Sequence, residues 1–364
     1  MVVLGAGPAG CSAAIICADA GLRTVVVERS PFPRDRPGET LHPGIEPLLR
    51  QLGAWDRISA AAYPRHEGIS VSWGDRQGFQ PYGCDATGPW RGFQAWRADF
   101  DTRLLDRGRE LGVAVLQPMA ARRPLLRAGR ISGIATDRAA IQSRFVVDAT
   151  GGRHWLARRI RLAIDRYGPR RVAWYGYATG TSPDLDAAPA IVADTSGWTW
   201  TARVRPALYH WTRLENSDRP LASNWRPTEF AQLSPTCTRR VVDVTWRIAR
   251  PSAGPGFFLA GDAAFVLDPA SSHGVLKAIM SGMLAGNLIV DCMSGTRSES
   301  TAVAHYCQEI KSWFDSDRRN LARLYGELSR SARKINDEQS AGGAIAPDYR
   351  ARTLSRADTD GTKK

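Results

Sequence analysis

Lysine is scarce in this 364-residue chain. Only five of its 49 basic residues are lysines, at 277, 311, 334, 363 and 364. Arginine, which grips phosphates and carboxylates through a planar fork, therefore carries nearly all of the net charge of +13. Cysteine is sparse as well. The six at 11, 17, 84, 237, 292 and 307 form no C-x-x-C pair and no metal-ligand spacing. We expect reduced thiols in a cytoplasmic chain without a metal site. No apolar run approaches the ~20 residues of a membrane-spanning helix, so no span is expected. There is no internal repeat and no recognised nucleic-acid module, which turns the positive charge towards a solvated surface or an acidic partner rather than nucleic acid. An apolar strand starting at residue 2 leaves no place for a signal peptide, and none is expected.

What the chain does have is glycine in two informative places. The first is Val2-Val3-Leu4-Gly5-Ala6-Gly7-Pro8-Ala9-Gly10, a short apolar strand running into G-x-G-x-x-G spacing. Gly5 permits the tight turn, Gly7 lets the backbone approach a pyrophosphate, and Gly10 lets the next helix pack on the strand. That helix, expected over about 9–20, aims its positive N-terminus at the phosphates and stops at Gly21. A second strand, Thr24 to Val27, ends at Glu28, where a carboxylate accepts hydrogen bonds from an adenosine ribose. Strand, glycines, helix, strand and acid in one run imply a bound dinucleotide.

The second place is Phe258-Leu259-Ala260-Gly261-Asp262-Ala263-Ala264, followed by Leu267-Asp268-Pro269-Ala270-Ser271-Ser272-His273-Gly274-Val275. An apolar strand ends at Gly261-Asp262 and a helix begins about a dozen residues later. Asp262 is thus placed to accept a hydrogen bond from a sugar-like hydroxyl, while free N–H groups near Gly274 and Val275 face a neighbouring ligand. A helix N-terminus stabilises negative charge, which suits a reduced flavin, anionic at N1. A nicotinamide enzyme has no need of this second segment, so the pair together points to FAD.

Between the two, residues 69–89 alternate and are rich in turns, suggesting strands of a second layer, Trp96-Arg97-Ala98-Asp99-Phe100-Asp101 leads into a helix to about Leu111, and 118–147 read as an antiparallel meander turning at Ala128-Gly129. From about 165 to 250 aromatics alternate with polar residues (Tyr175, Tyr177, Trp198, Trp200, Tyr209, Trp211), the period of a sheet with one covered face. The fold expected is α/β. A Rossmann-like FAD-binding domain of the para-hydroxybenzoate hydroxylase and glutathione reductase type spans 1–165 and 251–299, with a small strand-rich insertion near 66–90. An antiparallel β substrate domain occupies 166–250, a helical segment 300–339, and a disordered tail 340–364.

The motifs together resemble the class A flavoprotein monooxygenase superfamily, from residue 2 to about 335. The resemblance implies an FAD-dependent monooxygenase. Gly5, Gly7, Ala9 and Gly10 match the pyrophosphate loop, Glu28 and Arg29 the ribose end, and Arg97, ahead of Phe100-Asp101, an arginine that reaches the cofactor. Asp148-Ala149-Thr150-Gly151 matches a second strand-end motif, Gly261-Asp262 the ribityl contact, and Ser272, Gly274 and Val275 the loop under the isoalloxazine. Gly38-Glu39-Thr40 and Asp268-Pro269-x-Ser-Ser are closest to the halogenase branch. Yet Ser271 stands where halogenases carry a glutamate, and no lysine lies in the N-terminal region where they place theirs. Hydroxylation within a halogenase-like frame follows, and the stretch Gly38 to Gly44 with Leu267 to Val275 resembles the flavoproteins that mature tryptophylquinone enzymes.

The resemblance implies FAD, NADH or NADPH as transient reductant, and O2 reacting at flavin C4a to give a hydroperoxide that hydroxylates an electron-rich ring. The expected substrate is a tryptophan of a partner polypeptide, a quinoprotein subunit. The alternatives are a small aromatic substrate of a natural-product hydroxylase, epoxidase or halogenase-like enzyme, and a saturating reductase of the geranylgeranyl type. His273, His42 and Glu39 are candidate proton acceptors. Tyr175, Trp198, Trp200 and Trp211 are the candidate pocket wall, which would exclude water. The arginines between 153 and 171 would steer an acidic partner.

Overall fold

The computed structural model describes residues 1–215, 221–222, 224–236 and 238–341. Cys237, nearly all of the expected disordered tail, and Lys363 and Lys364 lie outside the described residues.

The first layer is a six-stranded sheet in the order Ala114–Leu116, Val25–Val27, Val2–Leu4, Val146–Asp148, Phe257–Leu259, Ala253–Gly254. The first five strands are parallel and the last is antiparallel. Its central strands are buried on both faces, which is why they read as unbroken runs of Val, Leu and Phe. Pro8–Asp19 follows the first strand and packs directly against the long helix Gly274–Ser294. The meander forms as expected, Ala121–Arg127, Arg130–Thr136 and Ala140–Gln142, with Ala128 and Gly129 both at positive φ.

Gly274–Ser294 corrects one expectation. It has 21 residues and a mean hydropathy of 1.5 over its most apolar window, long and apolar enough by composition to cross a membrane. Half of that window is buried within the fold. Gly282 and Gly286 explain where the apolar side goes. A Cβ at Gly282 would lie 2.1 Å from the Ala9 carbonyl oxygen, and one at Gly286 would lie 2.8 Å from Ile16 Cβ. The two helices therefore approach backbone to backbone, and the apolar composition serves that contact.

The second layer is an eight-stranded sheet. Along it run Ser234–Pro235, Val172–Thr179, Leu208–Glu215, Gly197–Arg205, Ala190–Ala193, Gly68–Trp73 and Arg76–Pro81, with Arg240–Asp243 beside Val172–Thr179. The hairpin 68–81 forms strands of this second layer, as its alternation suggested, although it was grouped with the first body as an insertion. It joins the sheet through a parallel pairing with Ala190–Ala193, so the sheet is not wholly antiparallel. The period-2 aromatics gave each strand its faces but could not show which distant strand would close the edge.

The C-terminal helix Glu299–Ala341 packs across both layers. Phe314 meets Tyr167 and Phe265, and Leu324, Tyr325 and Leu328 cover Trp73 and Trp198.

Candidate flavin site

The two glycine segments, 250 residues apart in the chain, meet in space. A Cβ at Gly261 would stand 3.0 Å from Ala9 Cβ, and Gly261 itself has a φ of +59°, which a side chain rarely adopts. Ala9 thus spaces the two segments, buried between them. Gly10 is held just as tightly, since a Cβ there would come within 1.9 Å of the Gly5 carbonyl oxygen. Gly5 has φ +92° and backs onto Ala149.

Glu28 is buried at the end of its strand. Its Oε2 accepts from Ala6 N at 2.9 Å and its Oε1 from Ser30 N at 2.9 Å. Both carboxylate oxygens are therefore used, one on the glycine turn and one on the loop that follows. Arg34 lies over Gly7, with Nη2 3.4 Å from where a Cβ would be, and its Nε is buried without a hydrogen-bond partner. A cation with an unsatisfied donor above a glycine turn fits a pyrophosphate, and so the donor set suits FAD. Sequence reasoning missed Arg34, which sits in a proline-rich loop with no motif around it. Arg29 is exposed.

Arg97 is buried at the start of the helix Arg97–Glu110. It donates from Nε and Nη2 to Asp101 at 2.8 and 3.1 Å and from Nη1 to the Pro37 carbonyl at 2.9 Å. Burial works against its charge, but Asp101 outweighs it and holds the pKa up. Gly38 fits between Arg97 and Val275, 3.3 Å from one and 3.9 Å from the other when a Cβ is placed there. The Gly38 loop, Arg97 and the loop at 272–275 therefore form one surface. Ser272 has φ +53° and turns the chain into the helix beginning at Gly274.

Asp148 departs from its expected role. Both of its oxygens are used on the turn that follows, Oδ1 on Thr150 N at 2.9 Å and Oδ2 on Leu156 N at 2.8 Å. It shapes the turn containing Gly151 rather than offering an acceptor to a ligand. Asp262 is accessible, and protein crowding around its recess raises its pKa while Arg247 and Arg97 oppose that.

The candidate proton acceptors fall into two groups. His273 and His42 come together, ring centroids 6.2 Å apart, with Tyr82 5.4 Å from His42 and His66 5.6 Å from Tyr82. His42 Nδ1 accepts from Gly44 N at 3.0 Å; burial and His273 lower its pKa. His273 Nδ1 lies 3.2 Å from Oδ1 of Asp317, a buried residue of the C-terminal helix that the sequence gave no reason to single out.

Glu39 belongs to the other group. It is 1% exposed. Its Oε1 accepts from Tyr177 Oη at 2.5 Å and its Oε2 from Gly38 N at 2.8 Å, with His210 Nδ1 3.5 Å from Oε2. Burial and then the Glu39 charge raise the Tyr177 pKa; burial lowers that of His210 against the pull of Glu39. His210 and Tyr177 had no motif context. The strand pairing Tyr177↔His210 brings them to Glu39.

The four candidate pocket aromatics do not share one wall. Tyr175, Trp198 and Trp200 lie on the face of the sheet that carries Tyr177 and His210, as the registers Trp198↔Leu214 and Trp200↔Thr212 require. Trp198 is a core residue, 1% exposed, donating from Nε1 to Tyr325 Oη at 2.9 Å. Trp211 is on the opposite face with Trp225 and Phe230. A one-residue change of parity sends a strand side chain to the other side.

Known proteins share this fold. Residues 1–176 match a family described as an FAD binding domain. Over 341 residues the chain is 28% identical to a tryptophan 2-halogenase of Chondromyces crocatus, covering 84% of this chain and 64% of that one. The chain thus spans slightly less than two thirds of that relative. The structure of a myxobacterial chondrochloren halogenase matches with a TM-score of 0.82 at 22% identity, over 93% of this chain and 88% of that one. A peptidyl tryptophan dihydroxylase essential for tryptophylquinone cofactor biogenesis matches with a TM-score of 0.67 at 24% identity, over 90% and 75%. Those two likenesses establish the fold, which is the α/β FAD-binding architecture expected.

Proposed function

We propose that this chain, which belongs to the halogenase-like branch of the class A FAD-dependent monooxygenases, oxidises an electron-rich aromatic ring of a small molecule, an indole foremost, and transfers oxygen rather than halogen. The observation that carries this reading is the make-up of the sheet face turned towards the Gly38 loop. It presents Tyr175, Tyr177 and His210 around the buried Glu39. Neither lysine whose side chain is described stands there: Lys277 lies over the Trp313 ring and Lys311 is hydrogen-bonded to Asp315. The tryptophan-directed relative supports an indole, since its ring reacts with electrophiles without prior activation.

Bound FAD supplies the activation of O2. This chain's residues supply position, dryness and a proton acceptor. The Tyr175–Tyr177–His210 wall excludes water. Glu39 already accepts two close donors, so it fixes that wall. His273 is the group we assign to take the proton that the ring releases. Its Nδ1–H directed at Asp317 leaves Nε2 as the acceptor, a tautomer set by the partner. NADH or NADPH is the proposed reductant, acting directly or through a separate reductase.

A tryptophan within a partner polypeptide presents the same ring, and the likeness to the peptidyl tryptophan dihydroxylase supports it at the level of fold. One experiment separates the readings. FAD-loaded protein, NADH with a flavin reductase, O2 and bromide are incubated with free tryptophan, indole or a tryptophan-containing quinoprotein subunit, and products are weighed by mass spectrometry. Gain of oxygen on a free indole is the expected result. Bromine incorporation would overturn oxygen transfer, oxygen gain confined to the polypeptide would move the substrate there, and turnover without O2 would select the reductase reading.

A further inference from the structure

On the face of the eight-stranded sheet away from Glu39 lies a cavity of about 430 Å³, lined by Gly176, Trp211, Trp225, Phe230, Arg226 and Arg239 among others. Its size is that of a small-ligand site. Its floor exists because residue 176 is glycine: a Cβ there would lie 2.9 Å from the Trp211 indole. Trp211 and Trp225 meet edge to face at 5.3 Å, with buried Phe230 beside them in the same apolar cluster.

Two arginines border this aromatic floor, and no carboxylate pairs with either among the described residues. Arg226 donates from Nη1 to Leu233 O at 3.1 Å and from Nη2 to Ala231 O at 3.0 Å. Arg239 donates to the Ala222 and Leu221 carbonyls and lies over Trp174 at 4.6 Å. Those backbone acceptors fix the direction of each fork without neutralising it. A guanidinium has five N–H donors, so each retains donors and a full charge. The other arginine near the floor, Arg213, is by contrast neutralised by Asp194 and Glu215. An apolar aromatic slot flanked by guanidinium groups that, among the described residues, meet only backbone carbonyls matches a planar ring carrying an acid.

We propose that this cavity binds a small aromatic carboxylate, at a site separated from the flavin face by the sheet itself. The site does not depend on the oxygen-transfer reading, because Trp211 and Trp225 occupy the face opposite Glu39.

Indole-3-acetate, with neutral indole-3-acetamide as its uncharged counterpart, tests the proposal by calorimetric titration of the FAD-loaded protein. We expect saturable one-to-one binding of the acetate. Arg239→Met and, separately, Arg226→Met should each weaken it about tenfold, the scale of one charge-assisted contact, while leaving acetamide binding unchanged. Trp225→Ala should weaken both ligands. Glu39→Gln, on the flavin-facing side, should weaken neither. Absence of saturable acetate binding to the unsubstituted protein overturns the proposal. So does binding that is lost in Glu39→Gln but kept in both arginine variants, which would place the ligand at the flavin face. Retention of FAD absorbance in each variant reports that it is folded, and failure of the unsubstituted protein to hold FAD would count against the flavin site alone.

Discussion

At the scale of single residues, the site is organised by acids whose oxygens are already engaged. Glu39 illustrates this, accepting from Tyr177 and Gly38 with His210 close by. Glu39→Gln keeps the shape but replaces an acceptor oxygen with an amide and removes the charge, and charge-assisted bonds are worth about 1.5–3 kcal/mol each. We expect FAD to be retained, seen in the flavin absorbance, while kcat falls at least about tenfold. Asp317→Asn tests a different link. Without the carboxylate, the His273 tautomer is no longer set, and kcat should drop about a hundredfold at little change in KM. A rise in KM with kcat intact would instead make Asp317 a binding residue. Gly5, Gly10, Glu28 and Gly261 were legible from spacing because their constraints are local to a turn. Arg34, Tyr177, His210 and Asp317 were not, since each acquires its role from a neighbour at least 44 positions away or from a loop without regular structure.

At the scale of elements, the fold depends on close approach and on a few polar bridges between layers. Gly282 lets the two glycine-bearing helices touch. Gly282→Val forces side-chain atoms into the Ala9 carbonyl, and overpacking of this kind costs about 1–3 kcal/mol. A lower urea midpoint with weaker FAD retention is the expected outcome. The C-terminal helix is tied down by Tyr325, whose hydroxyl accepts from Trp198 Nε1 at 2.9 Å and donates to buried Asp268 at 3.2 Å. Asp268 also accepts from Trp246 Nε1 at 2.6 Å. Tyr325→Phe leaves Trp198 without its partner in the core and should lower stability by about 1–3 kcal/mol in chemical denaturation. The boundaries of the main helices were readable from their apolar periodicity and glycine stops. The parallel pairing of the 68–81 hairpin with Ala190–Ala193 was not, because the choice of strand partner is set by its position in space.

At the scale of the whole molecule, two buried histidines make stability depend on pH. His154 sits in a left-handed turn, its Nδ1 2.9 Å from the Ala263 carbonyl oxygen and its Nε2 accepting from Arg247 Nε at 2.9 Å. His66 is packed against Tyr82 with its Nε2 unpartnered. Burial pushes both down to about 4, against 6.5 for an ordinary histidine. Between those values the unfolded chain binds more protons than the folded one, so stability is full above about pH 6.5 and falls as pH drops towards 4. The loss is at most about 3 kcal/mol per histidine. Urea unfolding at pH 7 and pH 4.5 should show it, and His154→Asn should flatten the slope. An unchanged slope would mean that His154 is charged in the fold.

What the sequence by itself determined is the cofactor class and the two turns that meet it, because a G-x-G-x-x-G turn and a strand ending in Gly-Asp depend on steric demands within a few bonds. It also determined that the 165–250 region is a sheet with aromatic faces. Only the tertiary structure decided which face each aromatic occupies, since parity along a strand fixes sides but not which side meets the flavin. Only the tertiary structure brought Asp317 to His273 and His210 to Glu39, because a hydrogen bond between distant residues is set by the packing of whole elements.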